Sequence, residues 1–594
     1  MIPAHKIRPN ETSRLPRRFV ILDTEAVEEG ETQRTQTWRL AVTAYTHADN
    51  RRRDWSPFVY RYHRTPDELW DYVESVTRRR RRCVVVAHNL AYDLRIARAF
   101  HDLPRRGWSL ASMGLHDRSL TVTFRREDRS LVFVDSRSWW PTSVEGLGLL
   151  QGLPKLDLPG FDEPDEVWRR RCQRDVEILA SAVLTLLRWL EDRDLGNWQR
   201  TGAGLAWSNW RHAHYTHEVI CHGDAELQGF EESSTYTGRC EAWRWGEIKG
   251  GPFIEWDLPL AYARVCLDTE LPVRLGRHVT SPPIGYVLPP RPGRRCLVRA
   301  RVHQTEPVLP THYRDRTIWP VGTIEGWWWD LELAEALAEG AQVTPIEAWT
   351  YPAEPALADW ARWVVDTVDG RDPDVSPVCR LAVKHWSRAL IGRFSSRYRD
   401  WQPFAPSIRD TVETAAWIDL DEQTKGWRLT LGRETFLAMG ETYGMDAFPA
   451  VQAVVMAEAR RRLWRIMRAA GLEHVVYVDT DSAITDRIGS ARLRYLVDHG
   501  ELWGLRAKRH WTDLTVVGPR QLVLDDLPRF AGIPYGARRR ANGDLVGDRW
   551  EGFEESLRRG RADRVTISAT KFHPKGTDRR RTHRPGGRTE ARAV

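Results

Sequence analysis

The sequence contains no pair of cysteines at metal-binding or redox spacing. Its seven cysteines stand apart and form no CxxC motif, which gives neither a disulfide framework nor a cysteine zinc site. It also lacks a run of about 18 apolar residues and an apolar signal core near the N-terminus. We therefore expect a soluble, unexported protein of the cytoplasm or nucleoid that does not span a membrane.

Lysine is scarce as well, with 8 Lys against 81 Arg. Trp occurs 29 times, and both biases follow most simply from a GC-rich genome, so neither is evidence of function. A Lys that remains is then more informative than usual. At 594 residues the chain is long enough for several domains, and its formal net charge of +8 favours a polyanionic partner without identifying one.

An acidic pair stands in the short stretch YVDTDS, Tyr477 to Ser482. The β-favouring residues before it predict a strand that enters a tight hairpin turn. Because residues two apart on a strand face the same side, we expect the carboxylates of Asp479 and Asp481 within a few ångströms of each other. A bound divalent metal is the commonest way to keep both ionised. The alternative is a solvated Asp-rich turn.

The N-terminal third has an acidic set of its own. Asp23 and Glu25 follow an apolar strand, Asp93 lies in the first turns of a helix after a second strand, and Asp175 lies on a long amphipathic helix. Taken singly, each acid is more simply a surface or capping group. Together, these four carboxylates have the chemistry to hold two Mg²⁺ ions and hydrolyse a phosphodiester by the two-metal route.

Three cations recur at every fourth position in SPVCRLAVKHWSRALIGRF. This spacing aligns Arg380, Lys384 and Arg388 on one face of a predicted helix. On the residues alone, a solvated basic face is the simpler explanation.

The order of these motifs resembles that of family B DNA polymerases. D-T-E after a strand, N-L-A-Y-D opening a helix and a helical R-D-V-E-I-L resemble the three exonuclease motifs of their ribonuclease-H-like 3′–5′ proofreading domain. The resemblance implies that four acids bind the metal ions: Asp23, Glu25, Asp93 and Asp175.

Three further residues belong to this part of the resemblance. Asn89 is implied to contact the single-stranded primer end. KLDL resembles a Lys-x-x-hydrophobic element of the protein-primed branch, which makes Lys155 a DNA-binding candidate. The third motif departs from the family, because its Tyr, which helps orient the attacking water, is replaced by Arg171.

The polymerase motifs resemble the family with substitutions. In GGPFIEWDLPLAYARV, the Asp-to-Tyr spacing matches Asp-x-x-Ser-Leu-Tyr-Pro. The resemblance implies that Asp257 and Asp481 hold the metals, that Asp479 supports them, and that Tyr262 excludes a ribose 2′-OH.

The basic helix resembles the fingers motif Lys-x-x-x-Asn-Ser-x-Tyr-Gly, with Lys384 and Gly392 at its ends and Arg388 in place of Asn. The resemblance implies three nucleotide-binding cations: Arg380, Lys384 and Arg388. YTGRCEA resembles the element that links exonuclease and polymerase, and GPRQLVL stands where the family has Lys-x-Tyr. The DNA-binding candidates of the polymerase part are therefore Tyr236, Gly238, Gly392 and Arg520.

Spacing indicates a branch of the family. From Asp257 to Lys384 the chain runs 127 residues, and from Gly392 to Tyr477 it runs 85. Both gaps exceed what a compact palm needs and predict inserted subdomains. The protein-primed polymerases of phages and linear plasmids carry two such insertions, one that contacts the terminal protein and one that encircles DNA for processivity and strand displacement. Because the predicted exonuclease begins by residue 19, we expect any terminal protein to be a separate chain.

We thus expect an α/β (α+β) multidomain protein, with an exonuclease domain followed by a right-hand palm, fingers and thumb. The predicted divisions are exonuclease 1–195, palm 196–272 and 437–525, first insertion 273–352, fingers 353–393, second insertion 394–436, thumb 526–573 and a disordered basic tail 574–594.

The predicted function is that of a monomeric DNA-directed DNA polymerase with 3′–5′ exonuclease. It would use template-primer DNA, dNTPs and two Mg²⁺ or Mn²⁺ ions per active site, and replicate a phage or linear mobile element from a separate protein primer. Two alternatives stay open. One is a primer-independent or repair polymerase of the same branch, and the other is a DNA-end-binding factor whose catalysis has decayed.

Overall fold

The computed structural model describes residues 3–48, 54–116, 119–249, 251–399, 401–418, 425–525, 527–534, 536–540, 544–573 and 580–594. Among the helices of these ranges, none is long and apolar enough to cross a membrane. The predicted mixed α/β multidomain architecture is confirmed.

The N-terminal region is a mixed sheet covered by helices. Its strands are β1 (His5–Lys6), β2 (Arg18–Glu29), β3 (Gln33–His47), β4 (Val59–His63), β5 (Arg82–Ala87), β6 (Ser109–His116), β7 (Ser119–Arg126) and β8 (Arg129–Asp135). Its helices are α1 (Pro66–Val76), α2 (Leu90–Ile96), α3 (Ala99–Arg105), α4 (Val144–Leu150) and α5 (Asp165–Asp192). β2, β5 and β8 are parallel neighbours, and the buried run CVVVA of β5 is typical of a strand covered on both faces.

The central region carries the second acidic motif on another sheet. Its elements before the first insertion are α6 (Gly202–Ala213), β9 (Ile220–Cys221), α7 (Ala225–Ser233), β10 (Cys240–Ala242), β11 (Gly246–Ile248), β12 (Phe253–Asp257) and α8 (Ala261–Asp268). The segment predicted as the first insertion, together with the strand just before it, contains β13 (Leu271–Pro272), β14 (His278–Thr280), α9 (Ile284–Val287), β15 (Arg294–Gln304), β16 (Thr311–Tyr313), β17 (Arg316–Ile318), β18 (Gly322–Trp329), α10 (Asp330–Ala338) and β19 (Gln342–Glu354). β13, β19, β15 and β18 form a sheet of their own, at the first of the two places where spacing predicts an insertion.

Two helices and a second small sheet follow. They are α11 (Ala358–Val368) and α12 (Pro377–Arg393), then β20 (Arg397–Tyr398), β21 (Gln402–Phe404), β22 (Thr411–Ile418), β23 (Lys425–Gly432), β24 (Glu434–Ala438) and β25 (Thr442–Tyr443). α12 begins where Ser376 accepts a hydrogen bond from the amide of Cys379, with Pro377 in the first turn. β21, β24, β23 and β22 form the sheet at the second predicted insertion.

The chain then completes the central sheet and returns to the N-terminal one. These elements are α13 (Pro449–Ala470), β26 (Val475–Asp479), β27 (Ser482–Thr485), α14 (Arg487–Asp498), β28 (Arg506–Trp511), β29 (Leu514–Gly518), β30 (Gln521–Leu524), β31 (Leu527–Phe530), β32 (Arg538–Arg539), β33 (Leu545–Trp550), α15 (Phe553–Arg558), β34 (Val565–Phe572), β35 (Arg581–His583) and β36 (Thr589–Ala591). The central sheet has the order β10–β26–β27–β12–β28.

Buried tryptophans join the N-terminal region to the helix pair α11–α12. The indole of Trp140 donates to the carbonyl of Val378 at 3.0 Å. Trp189 of α5, Trp363 of α11 and Trp386 of α12 form a cluster in which each ring contacts the other two, with centroids 6.1 to 6.2 Å apart. Aromatic pairs of this kind add to the burial free energy, so α5 and α12 are firmly packed together.

The C-terminal part corrects one expectation. Residues 580–594 were expected to be disordered because they are polar and basic, but they form the paired strands β35 and β36 and pack on the central region. Residues 574–579 of the predicted tail lie outside the described residues. β34 also pairs with β3, so part of the segment predicted as the thumb extends the N-terminal sheet.

Candidate active sites

The four N-terminal acids come together where β2, α2 and α5 meet. Asp23 and Glu25 lie on β2, Asp93 on α2 and Asp175 on α5. The amide and hydroxyl of Thr24 both donate to Asp93 Oδ1, at 3.1 and 2.9 Å. These contacts hold α2 against the strand, so the acids predicted from separate motifs form one cluster, called the N-terminal acid cluster below.

Burial and mutual repulsion dominate the electrostatics of this cluster. Burial, followed by repulsion from Asp175, Glu25 and Asp93, raises the pKa of Asp23 well above its ordinary value. Burial likewise raises the pKa of Glu25 to about 7, against the opposing attraction of Arg171. Carboxylates crowded in this way favour a bound cation.

Two basic side chains already lie against these acids. The Arg171 guanidinium donates to Glu25 and lies 3.7 Å from Asp175 Oδ2, and Lys155 Nζ lies 2.7 Å from the same oxygen. The sequence analysis singled out both Lys155 and Arg171, but only the structure shows that the Arg171 side chain points into the cluster. At the position where the motif that this segment resembles has a neutral Tyr, this chain has a cation that would compete with a metal ion for the same oxygens.

The donors of the cluster fit a hard divalent cation. Asp175 Oδ1 is buried without a hydrogen-bond partner in the part of the chain that the structure describes. Ligand atoms of Asp23, Glu25 and Cys172 lie within 4.8 Å of one another. Burial and then the charge of Asp23 raise the pKa of the Cys172 thiol, so it stays protonated and is a poor ligand. The carboxylate oxygens are the donors that Mg²⁺ and Mn²⁺ prefer.

The second acid cluster is formed by Asp257 and Asp481. β12 pairs with β27, which brings Asp257 opposite Ser482, and the amide of Leu258 donates to the Asp481 carbonyl at 3.0 Å. Burial, followed by repulsion from Asp257, raises the pKa of Asp481 to about 6. We call Asp257, Asp479 and Asp481 the central acid cluster.

The hairpin predicted from YVDTDS is confirmed, but the same-face argument for its two acids is wrong. β26 ends at Asp479, Thr480 has a left-handed φ of +61°, and the chain reverses before Ser482. The period of two therefore does not extend to Asp481, whose backbone carbonyl accepts from Leu258, the residue after Asp257. Asp479 instead receives two hydrogen bonds from the Arg520 guanidinium, at 3.0 and 3.1 Å.

Lys508 of β28 is a site residue that the motifs missed. Its Nζ lies 3.0 Å from Asp257 Oδ1 and 3.3 Å from Glu255 Oε1. The scarcity of lysine in this arginine-rich chain was the one signal that singled out Lys508. No local pattern in the sequence places it beside Asp257. Here too, a basic side chain contacts an acid proposed to bind metal.

The element YTGRCEA packs against the YVDTDS hairpin. A Cβ on Gly238 would meet the Thr480 side chain at 2.8 Å, so this close approach requires glycine. Tyr236 is buried, and its ring stacks on His312 of the first insertion with centroids 4.8 Å apart. DNA contacts of Tyr236 and Gly238 stay predictions. In the structure, Gly238 packs against the Thr480 turn, whereas Tyr236 packs against the segment predicted as the first insertion.

The basic helix divides into one anchored cation and two exposed ones. Arg380 donates to the Asp372 carbonyl at 3.1 Å, which ties it to the preceding loop. Lys384 and Arg388 are exposed, and within the described residues neither side chain has a hydrogen bond or ion pair. Tyr262 lies near this face, and its pKa is raised by burial and by Asp481, with Arg388 opposing.

A cavity of about 2500 Å³ extends from the N-terminal acid cluster to α12. Arg388 and Gly392 line it at one end, and Asn89 lines it near the acids. Asn89 Oδ1 accepts a hydrogen bond from Arg137 Nη1 at 2.8 Å. Arg137 also lines this cavity and, after Lys508, is the second site residue that the motifs did not identify. No metal-binding or helical pattern in the sequence includes it.

Solved structures of phi29 DNA polymerase share the fold of this chain. The complex with primer-template DNA and incoming nucleotide substrates aligns with a TM-score of 0.65 and 15% sequence identity, over 94% of this chain and 100% of that chain. The complex with single-stranded DNA aligns with a TM-score of 0.62 and 14% identity, over 89% of each chain.

Phi29 DNA polymerase is a protein-primed family B polymerase, so the fold expected from the motifs is confirmed. At this level of identity the similarity establishes the fold alone. No family model matches the chain, and no curated protein sequence matches it.

Proposed function

We propose that this chain is a DNA-directed DNA polymerase with a 3′–5′ exonuclease, and that the two acid clusters are its two active sites. The observation that carries the proposal is the close approach of Asp257 to Asp481, because β12 and β27 pair so that Asp257 lies opposite Ser482, the residue after Asp481. Solved structures that share this fold bind primer-template DNA and incoming nucleotides. The raised pKa of Asp481, caused by burial and by Asp257, supports a site that gains from a bound cation.

In the central acid cluster, Asp257 and Asp481 would hold Mg²⁺ or Mn²⁺. When bound, the metal would activate the primer 3′-OH and stabilise charge on the triphosphate. Asp479 would keep the hairpin in place through its hydrogen bonds with Arg520. Tyr262 lies near Asp481, where its ring would exclude a nucleotide with a ribose 2′-OH. The exposed cations Lys384 and Arg388 would bind the triphosphate, which is held mainly by positioned charge.

In the N-terminal acid cluster, four acids would hold the metal ions: Asp23, Glu25, Asp93 and Asp175. Asn89 lines the cavity that leads to them and would bind the unpaired 3′ end, with Arg137 beside it. Lys155 would stabilise negative charge at the cleaved phosphate from its place 2.7 Å from Asp175. The cavity that joins this cluster to α12 supports transfer of a primer end between the two sites.

The proposed partners are template-primer DNA, dNTPs and a separate terminal protein as primer, with the polymerase acting as a monomer. The two inserted sheets and the fold of phi29 DNA polymerase support protein priming. A primer-independent polymerase of the same branch is the second candidate, because the insertions indicate ancestry more directly than priming mode.

The decisive experiment is primer extension with Mg²⁺, compared with the same reaction in EDTA. We expect template-directed incorporation of dNTPs by the wild type and none by Asp481→Asn, which preserves size while removing the charge. DNA binding without incorporation by the wild type would support the end-binding factor instead. Incorporation on a template without any primer would favour the primer-independent candidate.

The role of the basic helix is tested by Lys384→Met. Loss of a charged contact to the triphosphate is expected to raise the KM for dNTP by about one to two decades. Arg380→Met is the matched control on the same helix, because Arg380 is tied to the Asp372 carbonyl. Equal effects of the two substitutions would contradict nucleotide binding by Lys384.

A further inference from the structure

The segment 580–594, called the C-terminal hairpin here, covers the outer edge of β10. Two hydrogen bonds reach β10 itself, from Arg580 Nη1 to the Cys240 carbonyl at 2.8 Å and from Thr589 Oγ1 to the Ala242 carbonyl at 2.6 Å. Two more join the hairpin to the residues just after β10: the Thr589 amide donates to the Trp243 carbonyl at 3.2 Å, and the Trp245 amide donates to the Gly587 carbonyl at 2.6 Å. The other edge of β10 pairs with β26. The hairpin thus satisfies backbone groups that an edge strand leaves open.

Docking of the hairpin completes a buried ionic group. Arg581 Nη1 and Arg239 Nε both donate to Glu241 Oε2, at 3.3 and 2.7 Å, and the three side chains are at most 2% exposed. Burial alone raises the pKa of Glu241, but attraction from the two guanidinium groups outweighs it and leaves this pKa below its ordinary value. The Arg581 guanidinium also lies 4.0 Å from the Trp243 ring centroid. Buried charges need such partners, so these contacts fix the hairpin in one position.

The same strand positions the catalytic hairpin. The amide of Thr480 donates to the Arg239 carbonyl at 2.7 Å, and Cys240 pairs with Asp479 across β10 and β26. Gly238 lies against the Thr480 side chain. A shift of β10 therefore moves the turn that holds Asp479 and Asp481.

The C-terminal hairpin also contacts the first insertion. The Val321 amide donates to the Arg592 carbonyl at 2.8 Å, and the Val594 amide donates to the Val321 carbonyl at 3.0 Å. Trp319, two residues before Val321, lies over the buried Arg239 guanidinium at 5.2 Å. One short segment thus contacts the insertion, the ionic group and the strand beside the catalytic turn.

We propose that the C-terminal hairpin is a built-in support of the polymerase active site, and that Arg581 is a positioning residue that acts through Glu241, Arg239 and β10 on the Thr480 turn. This inference rests on the proposed polymerase function. It predicts that loss of Arg581 slows nucleotide incorporation without altering the distant N-terminal acid cluster, to which none of these contacts leads.

The test is Arg581→Met, measured by single-turnover incorporation, DNA affinity and 3′-end degradation. We expect the maximal rate of incorporation to fall by about ten- to a hundredfold, the order that a misplacement of about 1 Å costs. DNA affinity and degradation are expected to stay at wild-type values. Arg584→Met is the matched control in the same hairpin, since the Arg584 side chain forms an exposed pair with Glu590 and has no other ion pair among the described residues.

Thr589→Val provides a second test that does not depend on the folding of Arg581→Met. Thr589→Val removes the hydroxyl that donates to Ala242 and accepts from Arg581 Nε, and it is expected to lower the incorporation rate in the same selective way. Parallel losses of incorporation and degradation, or no loss of incorporation, would overturn the positioning role. A wild type without incorporation would instead refute the proposed function itself.

Discussion

The two acid clusters differ in how deeply their charges are buried. In the N-terminal acid cluster the Arg171 side chain is 12% exposed and contacts a Glu25 side chain that is 8% exposed. In the central acid cluster Lys508 is 41% exposed and Arg520 is 52% exposed. Each cluster has internal cations beside its acids, and those of the central cluster are more exposed than Arg171 or Lys155, of which Lys155 is 26% exposed. Under the proposed function, one chemistry would operate with a fixed countercharge in the first cluster and with a displaceable one in the second.

The energetic consequence follows from this burial. Removal of one partner from a buried ion pair costs about 3–5 kcal/mol, whereas an exposed pair contributes about 0–1 kcal/mol. Arg171 is therefore expected to affect both stability and metal binding, and Lys508 is expected to affect metal binding slightly.

The largest expected effect is a clean separation of the two activities. Asp481→Asn is expected to lower incorporation by at least about two decades, because it removes a charge that the transition state needs, and to leave 3′-end degradation unchanged. Asp23→Asn combined with Glu25→Gln is expected to do the reverse. Primer extension and degradation of a labelled single strand measure the two activities. Loss of both activities in either variant would show that the clusters are not independent sites.

Arg171→Tyr is expected to have two opposite effects on the N-terminal acid cluster. In EDTA the free energy of unfolding is expected to fall by about 3–5 kcal/mol, because buried acids lose their countercharge. With the competing guanidinium removed, the Mg²⁺ concentration for half-maximal degradation is expected to fall by about tenfold or more.

Urea unfolding and a Mg²⁺ titration check these two results. Arg174→Tyr is the matched control on the same helix, because Arg174 pairs with the partly exposed Glu177 at 3.0 Å. An Arg171→Tyr variant as stable as the wild type in EDTA would contradict the countercharge role.

The pH dependence of stability is expected to report the crowding around Glu25. The folded-state pKa of about 7 lies above the ordinary value of 4.5, so the folded protein binds this proton more tightly than the unfolded chain. The stabilisation is fully present below pH 4.5 and is lost as the pH rises through 7, an expected change of about 3 kcal/mol.

Urea unfolding in EDTA at pH values between 5 and 8 measures this change. Glu25→Gln is expected to flatten the dependence, and Glu28→Gln, farther along the same strand, is the control. The same slope in wild type and Glu25→Gln would assign the effect to other groups.

Lys508→Met is expected to have the smallest effect. The exposed ammonium group would compete only weakly with a metal ion at Asp257. The Mg²⁺ concentration for half-maximal incorporation is therefore expected to fall by about two- to fivefold, which corresponds to the free energy of an exposed ion pair. Lys249→Met, which alters an exposed pair with Glu247, is the control. An effect as large as that of Arg171→Tyr would remove the contrast between the two clusters.

Much of the candidate chemistry was readable from short motifs. Asp257 stands at the end of a strand and Asp23 within one, and Asp93 and Asp175 lie on the inner faces of helices. The periods of 2 and 3.6 indicate such positions. The YVDTDS hairpin was predicted for the same reason. The same-face argument failed at Thr480, because its left-handed φ ends the strand periodicity one residue before Asp481.

By itself, the sequence determined which residue types stand at strand ends and helix faces, and hence the identity of the acids and the order of the motifs. Tertiary structure alone decided their partners: Asp481 with Asp257, Arg171 inside the N-terminal acid cluster, and Arg581 with Glu241, a contact between residues 340 positions apart. The physical reason is that local periodicity depends on backbone geometry over a few residues. A buried charge instead finds its partner through the packing of distant segments, where desolvation makes an unpaired group too costly to keep.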